Sequence, residues 1–144
     1  MEVKTATLAD VDNFVMRQDD KAEISELYGL EPYDALRRSI IESEDCWTAA
    51  SEEKVLCIAG CSRSSDGGCL WVLFADIQLL PLSFFKESRK HAQYMLKKYG
   101  NLSNYTAASN VFVIKWAKSL GFTVDEPISY GPNGRLFCRF HKEG

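Results

Sequence analysis

The chain has 144 residues, of which 46% are hydrophobic and 26% charged, with a net charge of −3. That length fits one domain with a sizeable core and argues against intrinsic disorder. The mild acidity gives no global pull towards nucleic acid or anionic lipid. The opening residues, Met1 to Thr5, lack the apolar stretch of a signal peptide, and the longest apolar run, Cys69 to Phe74, is too short to span a bilayer. Five cysteines are an odd number, and they read as reduced thiols of a soluble protein in a cytosolic setting, with no membrane role.

In chain order, residues 2–6 alternate as a short strand. Thr7 or Asp10 can cap a helix that carries Leu8, Val11, Phe14 and Val15 on one side. Residues 19–28 read as a second helix ended by Gly29, with Asp19 and Asp20 facing solvent. Pro32 suits a first helical position, followed by Tyr33, Leu36, Ile40 and Ile41 at helical spacing. Three strands then form an antiparallel meander, at about 46–51, 54–62 and 69–76, with Ser64 to Gly68 as a turn. The acidic stretch Glu42 to Asp45 reads as solvent-facing.

Ser83 can cap the longest helix, whose apolar stripe is Phe84, Phe85, Ser88, Ala92, Met95 and Tyr99. Lys86, Arg89, Lys90, Lys97 and Lys98 lie on its other side as a solvated face rather than a nucleic-acid surface. Residues 102–108 suit a strand. Asn110 caps a last helix with Val111, Ile114 and Leu120 on one side, which Gly121 ends. Phe122 to Val124 and Arg135 to His141 complete the strands, and residues 127–134 form a loop. The order implies one α/β domain over residues 1–144. Its sheet is mixed and mostly antiparallel, with six to seven strands and about four helices on both faces.

Cys57 and Cys61 share a strand face, but a zinc site would need a second close pair or histidines, and His91 and His141 are remote. The cysteines read as small buried hydrophobes and no metal is expected. Both histidines read as surface residues. Two histidines so placed assemble no Ser/His/Asp or Cys/His set.

The element order, with Asn110 leading a helix that ends in Gly121-Phe122, resembles the GNAT acetyltransferase superfamily. The second half goes further: the apolar strand from Cys69, the basic helix ending in Lys97-Lys98-Tyr99, Leu102-x-Asn104-Tyr105 and a glycine-containing final hairpin. Together these resemble a small GNAT-like protein family of short-tailed phages (podoviruses of the autographivirus type) associated with virion morphogenesis. The first resemblance implies acetyl-CoA or coenzyme A as cofactor. Its pyrophosphate would sit on backbone N–H groups before the long helix, at Leu79, Leu80, Leu82, Ser83 and Phe84, and Asn110 would touch the pantetheine arm. Asp76 would serve as base, and Tyr105 could reach the leaving thiolate.

Against this, no glycine occurs between Gly68 and Gly100, and Pro81 removes a donor from the loop. Ala117 stands where the family often has a tyrosine, four residues before Gly121. Two readings follow. One is a catalytically degenerate GNAT-fold phage protein that acts through contacts with a virion or host protein, in the host cytoplasm or the virion. The other is an active N-acetyltransferase with an unconventional coenzyme A loop.

Overall fold

A computed structural model describes residues 1–52, 54–76 and 80–144. Among these residues eight strands form one sheet: β1 (Glu2–Thr5), β2 (Asp45–Ser51), β3 (Lys54–Ser64), β4 (Gly67–Phe74), β5 (Asn101–Ala107), β6 (Thr123–Val124), β7 (Ile128–Tyr130) and β8 (Arg135–Glu143). Their order is β1-β2-β3-β4-β5-β8-β6, with β7 also on β8. Every pairing is antiparallel except β4 with β5. The helices are α1 (Gln18–Tyr28), α2 (Pro32–Glu42), α3 (Leu82–Tyr99) and α4 (Val111–Ser119), with a 3-10 turn at Leu8–Asn13. The eighth strand is β7, inside the expected loop: two prolines and two glycines flank three residues that still find β8's outer edge.

Strand alternation divides the core in two. Cys57, Cys61, Leu70, Val72 and Phe74 point to one face, where α3 and α4 cover them with Phe84, Ala92, Met95, Trp116 and Ala117. Ile58, Leu73 and Ala75 point to the other, under Val11, Phe14, Met16, Ile24 and Leu36. Cys57 and Cys61 are thus packing residues. Burial pushes the Cys61 thiol up to about 12 and Cys57 higher still. At Gly60 an added Cβ would lie 2.6 Å from the Trp71 ring across the pair, so the indole takes the space a side chain would need.

Several expectations need correction. The first helical segment is only a 3-10 turn. Val11 and Phe14 are buried, but Leu8 and Val15 are exposed. Phe14 leaves helical geometry for an extended one, and the chain then runs along β4 as described below. Ile41 is exposed, not on the buried stripe of α2. In α4 the buried stripe is Val113, Trp116, Ala117 and then Leu120, with Val111 exposed. A helix apolar nearly all round gives no phase, and only packing selects its face.

Pro81, not Ser83, stands at the N-cap of α3. His91 is half-buried: its ring meets Trp47 edge-on at 4.6 Å and its Nδ1 lies 2.9 Å from the Glu87 carbonyl. His141 is half-buried, 2.9 Å from Asp125. Glu42 and Glu44 face solvent as expected, but Asp45 is half-buried and accepts from Lys98 Nζ at 2.9 Å and the Tyr99 hydroxyl at 2.5 Å, tying β2 to α3. No helix among the described residues is long and apolar enough to cross a membrane.

Candidate functional site

β4 and β5 pair as parallel strands only at Gly68–Leu102 and Cys69–Ser103. Beyond that they separate, and the Asn104 amide bridges the start of the gap by donating to the Leu70 carbonyl at 2.9 Å. Past this point each strand has an edge with no strand partner among the described residues. Such backbone groups must be satisfied by something else. A gap of this kind is a candidate ligand entry.

Here the chain's own groups fill it. Residues 15–17 lie antiparallel along the end of β4: the Arg17 N–H donates to the Phe74 carbonyl and the Asp76 N–H to the Val15 carbonyl, each at 2.9 Å. The Phe74 N–H donates to Asp20 Oδ2 at 2.9 Å. On the opposite edge, Glu23 Oε1 accepts the Ala107 N–H at 2.6 Å and the Thr106 hydroxyl at 2.9 Å. Both acids come from α1, one turn apart. Asp20 is 1% exposed, contrary to its reading as a solvent-facing residue. Burial raises its pKa, opposed by the Phe74 and Asn110 donors and by Arg17. Burial raises Glu23 as well, opposed by Ala107 and Thr106.

Asn110 is fully buried and stands at the N-cap of α4, but its side chain makes no capping bond. Its amide donates to Asp20 Oδ1 at 3.0 Å and its Oδ1 accepts from Arg17 at 3.3 Å. The Arg17 guanidinium lies 4.7 Å over the Phe112 ring. Between the first turns of α3 and α4, Phe74 packs edge-on against Phe84 (5.8 Å), Phe112 (4.8 Å) and Trp116 (5.8 Å). The α3 side of the split is therefore an aromatic plug, and the α1 side is a polar one.

The residues expected to hold a pyrophosphate lie at and just before the start of α3. Leu79 lies outside the described residues. Leu80 packs on the core, and Leu82 is 88% exposed, with Ser83 exposed beside it. Phe84 is buried and its N–H closes a turn onto the Pro81 carbonyl. Asp76 is exposed just beyond β4. Tyr105 lies on the α1 side, its ring stacked 4.0 Å from Tyr130. Among the described residues Asp76 and Tyr105 share no hydrogen bond.

A small cleft of about 90 Å³ opens between α1, α2 and the diverging strands, lined in part by Glu23, Tyr28, Ser39, Trp71, Asn104 and Tyr105. Glu23 is its acid, and the sequence reading missed it. The available signal was spacing: Asp20, Glu23 and Leu27 share the inward face of α1 with Ile24, so two carboxylates stand at core positions. No group of three or more His, Cys, Asp or Glu side chains among the described residues is placed to hold a metal.

Backbone order, the β4–β5 split and the helices on both faces define the GNAT acetyltransferase fold. Solved structures agree. The chain is similar to a ribosomal-protein-alanine N-acetyltransferase from Brucella melitensis, with a TM-score of 0.69, 16% identity and full coverage of both chains. A GNAT-family acetyltransferase from Bacillus cereus gives 0.66 at 16% identity over 99% of this chain and 96% of that one. A Bacillus subtilis acetyltransferase in complex with CoA gives 0.64 at 11% identity over 99% and 98%. No protein-family model matches the sequence, and no curated protein matches it.

Proposed function

We propose that this chain is a GNAT-fold protein that has lost acetyl transfer and acts through protein contacts. The observation that carries the reading is the filled split: the edge of β4 is taken by residues 15–17 and Asp20, and the α3 side by Phe74, Phe84, Phe112 and Trp116. A pantetheine arm would have to displace these groups. A pyrophosphate would meet a helix start with proline at its N-cap and an exposed leucine after it. The resemblance to the virion-morphogenesis proteins of short-tailed phages supports a partner among virion or host proteins, met in the host cytoplasm or in the particle. Calorimetric titration with acetyl-CoA and with coenzyme A tests the loss of the cofactor site. The expected result is no heat up to millimolar ligand, and micromolar binding would overturn the reading.

The Glu23 cleft favours a second reading, an active N-acetyltransferase. A carboxylate with a raised pKa beside Tyr105 could take a proton from an amine, and one solved relative of the fold binds CoA. That reading requires thiol release from acetyl-CoA when an amine is supplied.

A further inference from the structure

Helices usually dock on a sheet through an apolar stripe, and such contacts account for most of their hold. α1 departs from this. Of its eleven residues only Asp20 and Ile24 are buried. Besides Ile24 and the half-buried Leu27, its anchors are acids spaced three apart: Asp20 to β4 through the Phe74 N–H, Glu23 to β5 through Thr106 and Ala107, and Glu26 to β8 through the Arg135 guanidinium. Each reaches a different strand. Arg17 and Asp19 flank the first of them, Asn110 meets it from α4, and Lys21 lies over the Tyr33 ring of α2. Two of the three acids hold backbone donors that the strand split leaves without a strand partner.

Polar groups can exchange one partner for another, or for water, so a helix held largely this way leaves its sheet more readily than one held by buried apolar area. We propose that α1 is a releasable lid over the split between β4 and β5, docked by one carboxylate per turn to three strands. Its release uncovers the Phe74 and Ala107 N–H groups together, withdraws Ile24 from the cluster around Ile58 and Leu36, and leaves the cluster under α3 and α4 in place. This goes beyond the reading above and holds whether or not the protein transfers acetyl groups.

Native-state hydrogen exchange on the intact chain tests it. With intrinsic rates removed, the Phe74 and Ala107 amides should exchange at the rate of the interior of α1. That rate should be at least about 100-fold faster than that of Ile58, which sits fully buried in the central ladder. Glu26→Gln weakens the anchor on β8 and touches neither amide. It should speed both of them about three- to tenfold and leave Ile58 unchanged. Exchange of Phe74 and Ala107 at the rate of Ile58 would overturn the proposal. So would a Glu26→Gln protein in which they do not move, or in which Ile58 moves by the same factor.

Discussion

Asn110 stands before a helix, and an asparagine there ordinarily caps it, worth about 1 kcal/mol. Its side chain is instead turned inward onto Asp20 and Arg17. Asn110→Ala removes a donor to a buried carboxylate and leaves that charge less compensated. The expected loss is about 2–3 kcal/mol in urea denaturation, more than a cap supplies. A loss near 0.5 kcal/mol would contradict the buried network. Gly60→Ala tests packing: the new Cβ meets the Trp71 indole, whose Nε1 donates to Ser43 Oγ at 2.8 Å, so the ring cannot retreat without giving up a bond. The expected loss is about 1–3 kcal/mol, seen as a lower denaturation midpoint with unchanged slope. Asn110 was legible as an important position, but its inward turn onto Asp20 and Arg17 was not. Asp20 was not, because Asp19-Asp20 at a helix start looks like a solvated pair favoured by the helix dipole.

At the scale of elements, the carboxylates set opposing pH trends. Burial raises Asp20 and Glu23 in the folded chain, so their contribution is complete below the ordinary carboxylate value and is lost as pH rises through the raised one. Asp10 has the opposite sign. Burial pushes it up, but the Thr7 N–H, the Thr48 hydroxyl and Lys4 bring it below its ordinary value. Its contribution is present above the unfolded value and is lost as pH falls through the depressed one. Glu23→Gln removes one raised group. Measured by denaturation at a series of pH values, the parent's advantage over the variant should be largest below Glu23's ordinary value of 4.5 and shrink as pH rises. A difference that does not change with pH would contradict the raised value. The long helix and the meander were legible because one amphipathic stripe and one run of alternation define them. The 3-10 turn and β7 were not, since each depends on a distant edge, β4 for the segment after the turn and β8 for the hairpin.

For the whole molecule, the order of elements carried the GNAT fold into view before any coordinates, and solved acetyltransferases at 9–16% identity share that backbone. Backbone likeness at that identity leaves chemistry open, because one scaffold hosts many functions. The missing glycines before α3 pointed to a lost cofactor seat. Which groups fill the split depends on residues 15–17, Asp20 and Glu23 meeting β4 and β5 across more than 50 positions of chain, and no local pattern announces that. The most direct test follows the Phe74 and Ala107 amide resonances while coenzyme A is added to the labelled protein at millimolar concentration. If the chain fills its own split, both resonances stay where they are. Saturable shifts at these two amides would mean the split accepts the cofactor, and the account of a filled site would fail.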